Sequence, residues 1–468
     1  MKIHFKISTP SLNSLSEHLF PGDGKEAVAF ILCGHVKRNN KWILLAHEVI
    51  PHSYAECVER KANFVKWKTT ELTPVLDRAE KENLAIVKVH CHPKGYDKFS
   101  DIDNESDKDL FPSIYGWSNN NLPSLSVILL PDNKLVARHV SDTGEFSEVP
   151  VTVIGDEVKH YPTHNISSKK VSAFEQRNLQ VFGGFTRDVL SKMRVAIIGC
   201  SGTGGPVIEE LNRLGIGELC LFDPDVVEHK NLNRITNTKK SDADQQKFKV
   251  DAIKDNLKEI GLSTKISAFV GSIFEPELVG EIATCDFIFG CVDSAEARVL
   301  LNRISNFYLI PYIDIGICLD ADGSGGVTNI SGKVAYFQPG LSDHLTRCSV
   351  LSSTLEAESL KRDSPKEYED RLNEGYIKGV VENSPAIIPV NTYASSLAVM
   401  EFLARVHDYR NEPNTRFSQQ TFCFVNNFVE QKAEKEFLCS KASVRYLGRG
   451  DIELLLDMPS LSYKEKVA

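Results

Sequence analysis

Short apolar runs separated by turn residues dominate the first third of the chain. Residues 28–33, 42–49, 86–89, 126–130 and 135–140 are each rich in β-branched or aromatic side chains and bounded by turn formers, which predicts five strands. Between them, residues 70–84 repeat apolar positions near helical spacing and predict a helix leading into the strand before His90. The expectation is a mainly antiparallel sheet with helices. Residues 155–175 then turn polar, with Pro162, Ser167 and Ser168, which suits a linker or domain-edge loop.

Past that stretch the rhythm changes to strand, glycine turn and helix: strands over 194–198, 219–222, 265–269 and 287–291, and helices over 203–214 and 249–260. Such alternation predicts an α/β architecture built on a parallel, helix-covered, doubly wound Rossmann-like sheet. The expected domains are 1–160, a linker over 161–175, and 176–460. Within the last, 380–403 reads as a loop and core helix closing the sheet, and 448–451 as a turn. The chain shows no internal repeat.

The 468 residues, 42% hydrophobic and 25% charged, are ordinary for a folded globular chain of two or three domains, and two is the working number. A formal charge of −9 argues against broad attraction to nucleic acid or anionic membrane. Eleven cysteines without a C-x-x-C pair, and no signal peptide, lead to the expectation of a reducing cytoplasm. Apolar runs such as Val195-Ala196-Ile197-Ile198 fall far short of the roughly 20 residues a bilayer requires, so no membrane span is expected.

The first candidate chemistry lies at His90-Cys91-His92-Pro93, followed by Ser100 and Asp103. Alternate strand residues point the same way, so His90 and His92 can converge. A helix beginning near Ser100 offers Asp103 as a third ligand and leaves a fourth position for water, the arrangement of a catalytic zinc site. Hydrolysis also needs a carboxylate to take and return a proton, and Glu26, ahead of the first of these strands, is the candidate. His47 and His52 read as ordinary sheet or loop residues.

These residues resemble the JAMM/MPN (Mov34-like) metallopeptidase family, in which an upstream Glu precedes His-x-His-Pro and a later Ser-x-x-Asp. The resemblance implies zinc held by His90, His92 and Asp103, Glu26 as general acid/base, and Ser100 stabilising the oxyanion. It also implies cleavage after the tail of a ubiquitin-like protein.

The second candidate is Gly199-Cys200-Ser201-Gly202-Thr203-Gly204-Gly205, between a strand and an apolar helix. Glycines allow close backbone approach to phosphates, and the helix N-terminus supplies free N–H groups. Ser201 stands where a dinucleotide fingerprint has Gly, and Asp223 ends the next strand, placed to accept hydrogen bonds from a ribose. Downstream come Asn231-Leu232-Asn233-Arg234, Lys249-Val250-Asp251 and Cys291-Val292-Asp293. Adenylation needs cations against a triphosphate and a carboxylate for magnesium, so this set favours ATP over NAD.

Over residues 170–460 the chain resembles the ThiF/MoeB family, the fold of ubiquitin-activating enzymes. The resemblance implies Mg2+ and ATP as cofactors, with Gly199, Gly202 and Gly204 around the nucleotide. It implies Asp223 on the ribose, Asn231, Arg234 and Lys249 on phosphates, and Asp293 on magnesium and the adenylate. Residues 174–190 look like the family's leading helix, whose arginine, here Arg177, reaches a partner subunit, so a homodimer is expected. The family often carries a zinc site of two C-x-x-C pairs, but position 345 is Leu and Cys423 and Cys439 are too far apart for such a pair.

Cys348, opening a polar crossover-like region over 349–375, reads as a thioester acceptor, a relic of that zinc site, or a core cysteine. Ser349, Ser352, Ser353 and Thr354 leave an oxyester or no covalent step open. Cys200, Cys220, Cys285, Cys291 and Cys318 occupy apolar or glycine-loop settings and are expected to be buried.

The combined expectation is a bifunctional enzyme of a bacterial-type ubiquitin-like modification system, acting on a ubiquitin-like protein and working with a conjugating enzyme. Two rivals are activation of a sulfur carrier for thiocarboxylate formation and a non-catalytic scaffold that binds a ubiquitin-like protein.

Overall fold

The computed structural model describes residues 1–38, 40–117, 120–162, 173–374 and 386–461, so the greater part of the expected linker, 163–172, lies outside the described residues. The chain divides into two compact units. Unit 1 is Met1–Lys169 with Phe307–Leu309 and Tyr446–Glu453; unit 2 is Lys170–Asn306, Ile310–Arg445 and Leu454–Ala468. The expected turn at 448–451 therefore groups with unit 1, where Arg38 pairs with Asp451 at 2.9 Å.

Unit 1 runs β1 (Lys2–Ser8), α1 (Thr9–Leu19), β2 (Val28–Arg38), β3 (Lys41–Pro51), β4 (Cys57–Lys61), β5 (Phe64–Trp67), α2 (Thr73–Lys81), β6 (Ala85–Cys91), α3 (Asp101–Trp117), β7 (Ser124–Leu129), β8 (Leu135–Val140), β9 (Phe146–Val149), β10 (Val151–Ile154) and β11 (Val158–Tyr161). Nine strands form one sheet in the order β11-β10-β1-β3-β2-β6-β7-β8-β9, and β4 pairs with β5 in a separate hairpin. Five of the sheet's eight strand pairings are antiparallel, as expected, and three are parallel: β1 with both β3 and β10, and β6 with β7. A parallel pair needs a crossover between its strands; α3 supplies it between β6 and β7.

Every residue of β6 is buried, as suits a strand covered on both faces. Its period of two divides the side chains between two cores. Val87, Val89 and Cys91 join Phe5, Ile7, Leu12, Leu15 and Leu19 of β1 and α1. On the opposite face Ile86 packs with Val75 and Leu76 of α2 and Leu110, Phe111 and Ile114 of α3. Lys88 and His90 share the parity of Ile86 and so belong to the face covered by α3.

Unit 2 contains α4 (Gln176–Leu190), β12 (Arg194–Ile198), α5 (Gly204–Leu214), β13 (Glu218–Phe222), α6 (Lys240–Asp244), α7 (Lys249–Ile260), β14 (Lys265–Phe269), α8 (Pro276–Ile282), β15 (Phe287–Gly290), α9 (Ala295–Tyr308) and β16 (Tyr312–Ala321). It continues with β17 (Val327–Phe337), α10 (Ser352–Asp363), α11 (Pro365–Asn373), α12 (Ile388–Val406), β18 (Gln419–Cys423), β19 (Phe428–Lys432) and α13 (Lys441–Tyr446). The sheet order is β14-β13-β12-β15-β16-β17-β18-β19. The first five strands are parallel; the strand-and-helix rhythm predicts four of them, β12 to β15, β16 adds a fifth, and an antiparallel set of three extends them. Strand order reverses between β12 and β15, where an open α/β sheet leaves a crevice at its carboxyl ends.

The region expected as a polar crossover forms two helices, α10 and α11, and residues 375–385 lie outside the described residues. The core helix expected within 380–403 is α12, whose Glu401 and Arg405 are both about 1% exposed. Arg405 Nε donates to Glu401 Oε1 at 2.6 Å, and Gln420 of β18 donates to Glu401 Oε2 at 2.8 Å. Removing one member of such a pair leaves an uncompensated buried charge at a cost of about 3–5 kcal/mol. Glu401→Ala is therefore expected to lower the melting temperature of unit 2 in differential scanning calorimetry; an unchanged transition would show that this network contributes nothing.

Candidate functional site

In unit 1 the histidine segment meets the start of α3. His90, the penultimate residue of β6, is 2% exposed, and Asp103 sits in the first turn of α3. His90 Nε2 lies 3.1 Å from His92 Nε2 and 3.1 Å from Asp103 Oδ1, while His92 Nε2 lies 3.6 Å from Asp103 Oδ2. Among the described residues this is the one group of three or more His, Cys, Asp or Glu side chains whose ligand atoms all fall within 4.8 Å of one another.

The donor set fits a zinc ion. Nitrogen and oxygen ligands at about 2.1 Å in a tetrahedron stand about 3.4 Å from each other, close to the separations found. His92 Nδ1 lies 2.7 Å from the Tyr96 carbonyl oxygen. That partner calls for a proton on Nδ1 and leaves the Nε2 lone pair turned toward the group.

Burial pushes the Asp103 carboxyl up, but hydrogen bonds to His90, His92 and Ser100 overcome it and hold the group far below the usual carboxylate range. Burial lowers His90, whereas bonding to Asp103 and Tyr96 outweighs burial at His92 and raises it.

Ser100 donates from its backbone N–H and its hydroxyl to Asp103 Oδ2, both at 2.7 Å, and accepts from the Asp103 N–H at 3.2 Å. The hydroxyl is thus engaged with the Asp103 carboxylate.

Glu26 is 5% exposed. Its backbone accepts from Arg60 Nε at 2.8 Å and donates to the Lys61 carbonyl at 2.8 Å, which fixes it against β4. Burial raises its carboxyl to about 7; His92 and Lys88 oppose that rise and Asp103 adds to it. A cavity of about 850 Å3 is lined by Glu26, Lys88, His90 and Asp103, with Trp67 and Trp117 among its apolar walls.

In unit 2 the glycine turn sits at the crevice between β12 and β15. Gly199 has φ of +89°, and a Cβ there would stand 2.5 Å from the Cys291 carbonyl oxygen, so only glycine fits. Gly204, the first residue of α5, is packed so tightly that a Cβ would collide with the Gly199 carbonyl. Asp223, just past β13 and 5% exposed, accepts from the Cys200 N–H at 2.7 Å and the Asp225 N–H at 2.9 Å.

Lys249, the first residue of α7, reaches Asp225 at 2.7 Å and Asp223 at 3.6 Å. Burial raises the Asp223 carboxyl against the pull of Lys249 and these N–H groups; burial lowers Lys249, but the two carboxylates overcome it and raise the ammonium.

The remaining expected residues are placed as follows. Asn231 is buried and its side chain accepts from the Glu228 N–H at 3.0 Å, capping its own short helical turn. Arg234 donates to the Lys230 carbonyl at 2.8 Å, and its Cδ lies 3.6 Å from where a Cβ on Gly202 would stand. Asp293 is exposed between β15 and α9. Arg177 is exposed in the first turn of α4. Cys348 is exposed ahead of α10 with φ of +51°.

Cys200, Cys220 and Cys285 are buried as expected and Cys291 is half-buried, but Cys318 is exposed. The reason is that β16 leaves the core after Ile315, where its hairpin with β17 extends beyond the sheet.

Two contributors escaped the sequence reading. Asn391 of α12 is 3% exposed and crowds Gly202, and Ser395 donates to the Thr203 carbonyl at 2.8 Å. Polar side chains near the start of a helix expected in the core are the signal that could have marked them. In unit 1 the signal was Lys88, a cation within a wholly buried strand.

The fold and these sites define a two-part chain: a Rossmann-like sheet with a glycine turn at its switch point, joined to a sheet-and-helix unit carrying a His2Asp metal-type centre. A family model described as "ThiF family" matches residues 175–441, more than half of the chain, which belongs to that family of E1-like adenylyltransferases. A model described as "Prokaryotic homologs of the JAB domain" matches residues 8–135.

Curated proteins with similar sequence include "Ubiquitin-like modifier-activating enzyme 5" of Caenorhabditis briggsae, 29% identical over 201 residues, covering 38% of this chain and 43% of that protein. The protein of the same name in Caenorhabditis elegans is 31% identical over 189 residues, covering 36% and 41%. The chain thus spans less than half the length of these relatives. Similar solved structures include E. coli MccB with ATP, at 20% identity and TM-score 0.41 over 57% of this chain and 74% of that one. PaaA matches at 19% identity and TM-score 0.40 over 59% and 78%. Among the described residues, no helix is long and apolar enough to cross a membrane.

Proposed function

We propose that this chain activates the C-terminal tail of a ubiquitin-like protein with ATP in unit 2 and hydrolyses a bond at such a tail in unit 1. The observation that carries the first half is the glycine turn of a ThiF-family chain at the strand-order switch, with Asp223 and Lys249 beside it. The second half rests on the convergence of His90, His92 and Asp103 beside buried Glu26, within the stretch that resembles JAB-domain proteins.

In the activation step the tail carboxylate attacks the α-phosphorus of ATP, the bond to the β-phosphate oxygen breaks, and pyrophosphate leaves with that electron pair. Gly199, Gly202 and Gly204 give the phosphates room and expose the N–H groups at the start of α5. Asp223 accepts from the ribose. Lys249 turns from its carboxylate partners to the phosphates, joined by Arg234 and by Asn231, and Asp293 would hold Mg2+. The positive charge meets the negative charge that grows on the phosphoryl oxygens in the transition state. Arg177 extends toward the partner's site in a homodimer.

In unit 1 zinc would be held by His90, His92 and Asp103, where it supplies a water acidified to a pKa of about 7 and a polarised scissile carbonyl. Glu26 takes the water proton and returns it to the leaving nitrogen, the work suited to a carboxyl raised toward neutrality. Ser100 keeps the Asp103 carboxylate aimed at the metal.

For a ubiquitin-like protein fused through its tail to a reporter, Glu26→Gln is expected to cut cleavage at least about 100-fold while zinc, read by mass spectrometry of the metal, stays bound. Cleavage at the wild-type rate would show that Glu26 is not the proton carrier. Cys348, exposed ahead of α10, is the proposed acceptor of the activated tail, for passage to a conjugating enzyme. Intact mass after incubation with ATP, Mg2+ and the modifier is expected to show one thiol-labile adduct that Cys348→Ala abolishes; an adduct that survives this change places the acceptor elsewhere.

A further inference from the structure

Behind the metal centre lies a second set of charges that neither proposed chemistry uses. Lys88 of β6, Asp107 of α3 and Arg138 of β8 are 4%, 0% and 6% exposed. Lys88 Nζ stands 2.6 Å from Asp107 Oδ1, and Arg138 Nη2 stands 2.6 Å from Asp107 Oδ2, with Nε at 3.2 Å from the same oxygen. The spacing ties this set to the centre: Lys88 is two residues before His90 on the same strand face, and Asp107 is one helical turn after Asp103.

One lysine would neutralise Asp107. The arginine adds a second buried cation, and burying a charge is costly unless its hydrogen bonds are used. Its remaining bonds all go to the first turn of α3. Arg138 Nη1 donates to Asn104 Oδ1 at 2.5 Å, and Nη2 approaches the Asp103 carbonyl oxygen at 3.3 Å. The guanidinium lies between the rings of Phe99 and Phe146, 3.7 and 3.8 Å from their centroids. Phe99 immediately precedes Ser100, which holds the Asp103 carboxylate. The planar fork therefore grips both sides of the turn that delivers Asp103: the stacked residue before it, and the main chain and Asn104 at its start. Lysine, a point charge on a flexible stem, cannot make these bonds together.

We propose that Arg138 is a positioning residue for metal binding: its fork sets the first turn of α3 so that the Asp103 carboxylate meets His90 and His92. The proposal rests on the zinc reading of unit 1. Arg138 touches neither metal nor substrate, and Asp107 with Lys88 holds the arginine in register with β6.

The test measures Zn2+ affinity by chelator competition, and the melting temperature of the metal-free protein, in the full chain and in Arg138→Lys, Asn104→Ala and His92→Ala. Arg138→Lys keeps one ion pair to Asp107, so the metal-free melting temperature is expected to stay near that of the unchanged chain. Zn2+ affinity is expected to fall about 10- to 100-fold, the usual effect of losing a partner that orients a ligand. Asn104→Ala, which removes one grip and leaves the charges alone, is expected to weaken Zn2+ in the same direction by a smaller factor.

If His92→Ala loses Zn2+ while Arg138→Lys and Asn104→Ala bind it as tightly as the unchanged chain, Arg138 is only a fold staple and the proposal fails with the zinc reading intact. If His92→Ala also binds Zn2+ undiminished, the zinc reading itself fails. Should Arg138→Lys melt markedly lower, Asn104→Ala decides: weakened Zn2+ at an unchanged melting temperature supports positioning, and unchanged affinity overturns it.

Discussion

Register between neighbouring strands is the constraint on which both sites depend. In unit 1, β2 pairs with β6 so that Val28 stands opposite His90, and the Cys91 N–H donates to the Ala27 carbonyl at 3.3 Å. This pairing brings Glu26, just upstream of β2, to the end of β6 where the imidazoles lie. Because side chains alternate with a strict period of two, a slip of one residue would turn His90 into the core filled by Val87 and Val89 and away from α3. In unit 2, Ile198 stands opposite both Phe222 and Gly290, so the residues after three strands arrive together: Gly199, Asp223 and Cys291. The glycine turn can then press against the Cys291 carbonyl only because Gly199 lacks a side chain.

Both sites keep charge in places where water is scarce, and each matches it with an opposite charge close by. Asp107 is fully buried between two cations, and Asp223 is nearly so beside Lys249. These arrangements differ in what they are free to do. Asp107 is enclosed by Lys88 and Arg138, both themselves buried, and serves as an anchor. Lys249 shares itself between Asp223 and the much more exposed Asp225.

Much of this was legible in the sequence because the chemistry sits at strand ends. The five strands read in the first third appear in the sheet, and the strand, turn and helix alternation of the second half gives four of its five parallel strands, β16 being missed. What escaped was set by tertiary packing. The strand β1, KIHFKIS, interleaves lysine and histidine with apolar residues and is not among the expected strands, yet it lies inside the sheet between β3 and β10, with Lys6 only 2% exposed. The antiparallel extension β17 to β19 is interrupted by α10, α11 and α12 between β17 and β18, so strands that pair in space stand far apart in the sequence. The partnership of Lys88, Asp107 and Arg138 joins residues up to 50 positions apart, which spacing alone cannot reveal. Cys318 misled in the opposite way: its apolar neighbours suggested burial, but the β16–β17 hairpin carries it out of the core.

The central claim is that unit 2 joins a protein tail to AMP. Exchange of labelled pyrophosphate into ATP reads that reversible step alone, without any later transfer. With Mg2+ and small ubiquitin-like proteins tested one at a time, the account predicts exchange that depends on one of them having a free C-terminal carboxylate, and that Asp293→Ala reduces at least about 100-fold. Exchange that proceeds without any added protein, or that is untouched by Asp293→Ala, would contradict it.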